Sequence, residues 1–207
     1  MTKPIEIFFS YSHKDESFRE QLEIHLSMLK RQNLIKPWHD RMITAGDEWK
    51  GEIDKNLNSA DIILLLVTAN FLASDYCYDI EMKRSLERHE IGEACVIPII
   101  LTPVEGWAYS PFSKLQVLPR DGKPVTRWDD ADEAFVNVAR GIRKSINLLS
   151  TTSDELTSNE YSNFLEKVPD NQTVSTLETL EEVVPDDWFS QKSSRVSRFF
   201  QSLFDDK

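Results

Sequence analysis

Glu81 is the first residue in this chain whose type and place could do chemistry. It follows the aliphatic run Ile62 to Val67 across a polar passage containing Thr68, Asn70 and Ser74. An unbroken aliphatic run has no polar face to turn toward water, so it reads as a strand covered on both sides, central in a parallel sheet. The short polar side chains after it suit a loop and a helix N-cap, and a helical register starts near Asp75. Glu81 then stands about two turns into that helix, beside the carboxyl edge of the strand. That edge is where open α/β sheets bind ligands. The plain alternative is a solvated helix residue, the usual fate of a charged side chain.

Other reactive residue types give weaker signals. Cys77 and Cys95 fall in helical or apolar segments rather than at framework spacing, so reduced thiols are expected. No base adjoins Cys77 in sequence to activate it, and it reads as structural. Two cysteines and four scattered histidines make no zinc site, and no metal is expected. His13, next to Lys14, reads as a surface loop residue, His25 as a helix residue, and His89 as a helix C-terminal residue that meets the dipole favourably. Ser10 fits either a turn cap or a pocket wall. Asp40 and Arg41 fit a solvated loop pair, and Phe9 and Trp49 fit packing roles.

The elements that must position these residues follow from hydrophobic patterning. Ile5 to Phe9 forms a short strand that leads into the polar turn Ser10 to Glu16. Phe18, Leu22, Ile24, Leu26 and Leu29 recur at near-helical spacing between Ser17 and Gln32, an amphipathic helix on a sheet face. Leu34 to His39 gives a second strand, which Pro37 places at a sheet edge. Asp40 to Glu48 is a loop, with Gly46 supplying conformational freedom, and Trp49 to Leu57 is a short helix. The helix carrying Glu81 runs to about Glu90, where Gly92 marks its end. Cys95 to Leu101 is a buried strand whose Pro98 belongs at a bulge or strand end, where no ladder donor is needed. Thr102 to Pro119 is a long connection packed down by Trp107, Tyr109 and Phe112. Pro124 to Trp128 is expected as a fifth strand, followed by a helix over Asp129 to Leu149. This alternation predicts an α/β fold with a parallel, doubly wound, five-stranded sheet, helices on both faces and right-handed crossovers.

Composition bounds the rest. The 207 residues fit one domain, 1–149, plus an appendage. A formal net charge of −11 argues against nucleic acid or an anionic membrane as the main partner. No apolar run approaches the ~18 residues of a membrane span, and no apolar signal region precedes the first strand, so a cytoplasmic protein is expected. Residues 150–187 are rich in Ser, Thr, Asn and acids and read as a largely disordered acidic linker with a helical turn around Tyr161 to Val168. Residues 188–207 place Trp188, Phe189, Val196, Phe199, Phe200, Leu203 and Phe204 on one face of an amphipathic helix, opposite Lys192, Arg195 and Arg198. That helix could pack back on the domain, dock on a partner protein, or touch a membrane.

The order of elements and several motifs together resemble a Toll/interleukin-1 receptor (TIR) domain of the form common in bacteria. The resemblance covers residues 4 to about 148. It rests on Phe8-Phe9-Ser10-Tyr11-Ser12 with Asp15, on Trp38-His39-Asp40-Arg41 with Gly46 and Trp49, and on Ser59-Ala60-Asp61. Downstream it rests on Phe71-Leu72, Ser74, Tyr76-Cys77 and Glu81, and on Val96-Ile97-Pro98-Ile99. The family implies a flavodoxin-like sheet and one of two roles: cleavage of NAD⁺, or non-catalytic signalling through TIR–TIR association. In the enzymatic role Glu81 is the catalytic carboxylate. Phe9, Ser10, Tyr11, Asp40, Arg41, Gly46, Trp49, Tyr76 and Cys77 are then substrate-binding candidates, and NAD⁺ is a substrate, with no cofactor. Breaking the nicotinamide–ribose bond resembles glycoside hydrolysis, and one carboxylate can bind ribose hydroxyls and stabilise the oxocarbenium charge. The resemblance further implies activation by self-association and a place in immune or antiphage defence. Many enzymatic relatives carry Trp-Cys ahead of the Glu, with the Trp one helical turn upstream. Here Cys77 stands four before Glu81, and the aromatics are Tyr76 and Tyr78. A phosphoacceptor receiver domain does not fit, because Ser10-Tyr11-Ser12 replaces the paired acids that hold magnesium. Nor does a phosphate loop of the FMN-binding kind follow the first strand.

Overall fold

Strand β3 (Ile62–Val67) is buried along its whole length, as its aliphatic run predicts. In the computed structural model, which describes residues 3–43 and 46–165, it lies between β1 (Ile5–Ser10) and β4 (Cys95–Ile100), with β2 (Ile35–Trp38) beyond β1. All pairings are parallel, with Phe9 opposite Leu64, Leu65 opposite Pro98, and Ile7 opposite Pro37. The edge position of β2 follows from Pro37, which cannot donate to a second ladder.

The helices are α1 (Glu16–His25), α2 (Ser27–Arg31), α3 (Trp49–Ser59), α4 (Ala69–Leu72), α5 (Lys83–Glu90) and α6 (Ala131–Leu165). Side chains alternate across the sheet. Phe8, Ile63, Leu65, Val67 and Val96 cluster with Ile53 and Leu57 of α3 and Leu86 of α5. The alternate set, Ile7, Phe9, Ile62, Leu64 and Leu66, is equally buried, as are Leu22 of α1 and Phe135 and Val138 of α6. Burial of each such side chain is worth about 1.5–3 kcal/mol, an upper estimate because the unfolded chain already covers some of its apolar surface.

Five expectations change. The sheet has four strands. Where a fifth was expected, Val125–Arg127 winds into a 3-10 turn. Arg127 N–H bonds to Pro124 O and Trp128 N–H to Val125 O, so the segment spends its donors on itself, and Thr126 alone reaches Leu101 O, at 3.0 Å. The outer edge of β4 is met instead by a single bridge at Leu118. Pro98 consequently sits inside β4 rather than at its end. Its carbonyl accepts from Leu118 N–H on the outer edge, so its donor-less nitrogen faces where no inner ladder bond is lost. The single helix expected over Ser17 to Gln32 divides at Leu26, and Ile24 is 69% exposed while Arg19 is buried. Leu22, Leu26 and Leu29 define the inner stripe at i, i+4, i+7, and a residue two after Leu22 falls opposite it. In the connection after β4, Phe112 is fully buried but Tyr109 is 92% exposed.

The last change concerns α6, which continues to Leu165 through residues expected to open the linker. No Gly or Pro occurs between Gly141 and Pro169 to interrupt it. The chain divides into two units, residues 1–144 and 145–207, and of the second residues 145–165 are helical. The rest of the linker and the expected helix over 188–207 lie outside the described residues. Among the described residues no helix is long and apolar enough to cross a membrane.

Candidate active site

The carboxyl ends of β1 and β3 deliver the polar residues that a cleft needs. Ser10 closes β1 and is fully buried, and Thr68, just past β3, caps α4 by accepting from Phe71 N–H at 3.0 Å. Ser74 Oγ then accepts from Cys77 N–H at 3.3 Å, and from Tyr76 to Met82 the chain winds as a π-turn before continuing into α5. Ser85, one turn on, donates to Glu81 O at 2.6 Å, which fixes the carbonyl end of that turn. These local bonds point the Glu81 side chain inward, over the end of β1.

A cleft of about 390 Å³ opens there. Glu81 lines it, and Ser10 Oγ donates to Glu81 Oε2 at 2.5 Å. Burial pushes the Glu81 carboxyl up to about 8; the Ser10 hydroxyl works against this, and the charges of Asp40 and Asp54 add to it. The opposite wall comes from the loop after β1 and the turn after β2. Tyr11 donates its hydroxyl to Asp40 Oδ1 at 2.7 Å, and His13 Nδ1 lies 3.2 Å from Asp40 Oδ2. Burial, followed by the bond to Asp40, raises the Tyr11 hydroxyl well above its ordinary range. Asp15 ties this loop to the one after β3: its buried carboxylate accepts from Thr68 Oγ1 at 2.5 Å and from Asn70 Nδ2 at 2.8 Å.

Of the residues singled out in the sequence, Phe9, Tyr11, Asp40, Tyr76, Cys77 and Glu81 line this one cleft, with Ser10 bonded to Glu81 beneath it. Cys77 is an unactivated thiol. Burial pushes it up to about 11, the bond with Ser74 working the other way, and its Sγ donates to Tyr11 O at 3.4 Å. Arg41 is not in the cleft. Its guanidinium turns to α1 and grips Glu16 through Nε at 3.0 Å and Nη2 at 2.8 Å. Gly46 is exposed in the loop ahead of α3 with φ +103, a conformation glycine adopts without strain, and it too lies away from the cleft. Trp49 opens α3.

His13, Lys14, Asn70 and Ser74 also line the cleft, although the sequence offers them only as loop or cap residues. The available signal was their position just after the strands, on the edge that Glu81 overlooks.

Residues 7–137 match the family model described as a TIR domain. The chain is 57% identical over 147 residues to the uncharacterized protein y4lF of Sinorhizobium fredii (strain NBRC 101917 / NGR234). That match covers 71% of this chain and 45% of y4lF, so the chain spans less than half the length of the curated relative. Its fold is similar to the crystal structure of the TIR domain of the Toll-related receptor TRR-2 from Hydra magnipapillata. The TM-score is 0.50 at 18% identity, covering 68% of this chain and 97% of that one, a likeness of fold alone.

Proposed function

The chain belongs to the TIR domain family, and from that premise we propose that its cleft cleaves NAD⁺ at the nicotinamide–ribose bond. The observation that carries this reading is the Glu81 carboxyl, buried at the end of β1 beside an open cleft and held by one neutral donor. Nicotinamide leaves as a neutral amine with the electron pair of the C–N bond, and the ribosyl carbon is left with oxocarbenium character. A carboxylate in a poorly solvated place stabilises that charge far more than it could in water. Water then adds to the ribosyl carbon and loses a proton to give ADP-ribose; attack by the adenine ring of the same molecule gives a cyclic product instead. Burial favours the protonated form of free Glu81, and a pyridinium substrate favours its ionised form. No cofactor enters this scheme.

We assign the activity to a cytoplasmic effector of immune or antiphage defence that is switched on when protomers assemble and neighbouring loops complete the cleft. The region after residue 187 serves recruitment in this reading. A non-catalytic TIR scaffold is the second reading, and the depth of Glu81 favours it, because a neutral carboxyl bonded to Ser10 is also a tolerable core group. Incubating the full chain with NAD⁺ at high protein concentration or under crowding separates the two. Nicotinamide release with linear or cyclic ADP-ribose is expected. No turnover in a demonstrably assembled sample leaves the scaffold.

A further inference from the structure

On the wall opposite Glu81, both oxygens of the Asp40 carboxylate are engaged. Oδ1 accepts from the Tyr11 hydroxyl at 2.7 Å, and Oδ2 lies 3.2 Å from His13 Nδ1. The carboxylate is largely buried and tethered by Tyr11, so its second oxygen is presented to His13 from a fixed position. The Tyr11 ring also meets the imidazole edge to face, with 6.1 Å between centroids. A carboxylate can only accept, so Nδ1 of the neutral imidazole carries the ring hydrogen and Nε2 keeps its lone pair. His13 and Asp40 line the same cleft as Glu81, and the charge of Asp40 is felt at the Glu81 carboxyl. The His13 ring is half-exposed, which gives it a path for exchanging protons with solvent.

We propose that His13, oriented by Asp40, is the base that takes the proton of the attacking water and so directs the reaction to linear ADP-ribose. The proposal rests on the NAD⁺ reading and divides its two steps between the walls of the cleft. Glu81 stabilises the ribosyl cation while nicotinamide departs with the electron pair of the C–N bond. Water then gives an electron pair to the ribosyl carbon, one of its O–H bonds breaks, and that proton passes to His13 Nε2. Asp40 stabilises the imidazolium through Nδ1–H, and the proton returns to solvent. Attack by an adenine ring nitrogen forms its bond from a lone pair and leaves no proton to remove first. The return of nicotinamide to the cation, the reverse of cleavage, needs no base either. A base on this wall therefore accelerates one of the three fates of the same cation.

The test measures those fates side by side. The assembled full chain is given NAD⁺ with isotope-labelled nicotinamide, and linear ADP-ribose, cyclic product and label entering NAD⁺ are followed in native, His13→Gln, His13→Ala and Asp40→Asn proteins. Both His13 variants are expected to lower the ratio of hydrolysis to label exchange by on the order of tenfold or more, and to raise the cyclic share. Asp40→Asn is expected to change the ratio in the same direction and by less, and added imidazole to restore ADP-ribose formation in His13→Ala. A merely structural role for His13 would lower hydrolysis and exchange together; that result, or an unchanged ratio, overturns the proposal and leaves the NAD⁺ reading standing. Failure of the assembled native chain either to release or to exchange nicotinamide defeats both.

Discussion

Glu81 and Arg88 lie on one continuous helical segment and are almost equally withdrawn from solvent, at 6% and 4% exposure, yet they serve opposite ends of the sheet. At the amino edge every nitrogen of the Arg88 guanidinium is bonded. Its Nη1 donates to Leu57 O at 2.6 Å and Ala60 O at 2.9 Å, its Nη2 to Glu93 O at 3.2 Å, and its Nε to Glu93 Oε2 at 3.3 Å. At the carboxyl edge Glu81 has one hydroxyl donor and an open cleft. A charged group that holds a fold together is surrounded with partners, because each buried polar atom left without one costs about 1–3 kcal/mol. Glu81 lacks them, and burial holds its carboxyl above the ordinary carboxylate range. The two ends of one sheet therefore hold a guanidinium bonded at every nitrogen and a carboxyl left with a single donor.

That contrast breaks most visibly in stability. Between the unfolded carboxyl value near 4.5 and the folded value near 8, folded Glu81 keeps a proton that the unfolded chain has lost. Native stability from this group thus falls as pH rises through that window and levels off above about 8. Glu81→Gln removes the liability. We expect it to be more stable than the native chain at pH 9, by several kcal/mol at most, and equal to it near pH 4, as read from urea midpoints. Arg88→Met should move the other way, losing about 3 kcal/mol at all these pH values by stranding buried carbonyls, with turnover per folded molecule retained. A smaller effect is expected from Ser10→Ala. Its hydroxyl lowers the Glu81 pKa, so deleting it should carry the rising limb of kcat/KM to higher pH while stability drops by about 1 kcal/mol. Smallest of all is Arg41→Ala. Its bond to Glu16 is solvent-exposed and outside the cleft, and the NAD⁺ KM and urea midpoint of the isolated domain should both stay where they are.

The sequence carried the strand pattern well, because an all-aliphatic β3 and a proline in β2 are local signals with one physical reading each. It also placed Glu81 at the correct edge. The absent fifth strand was not legible, since Val125 to Trp128 has strand-like residues and only its self-closing hydrogen bonds exclude it from the ladder. Arg41 was misplaced because its partner, Glu16, comes from another helix. The π-turn was hidden for a different reason: apolar periodicity is read against helix or strand, and a single turn of i→i+5 bonds leaves no pattern of its own. Tyr76 and Tyr78 on either side of Cys77 pose the question of which ring faces the cleft, and the winding answers it.

The most direct test of the account is nicotinamide release from NAD⁺ by the native chain and Glu81→Gln, purified in parallel and matched for folding and assembly. The account predicts turnover by the native protein that rises with pH through about 8 and a loss on the order of a thousandfold or more in the variant, despite its equal or greater stability. Equal turnover in the two proteins would contradict it.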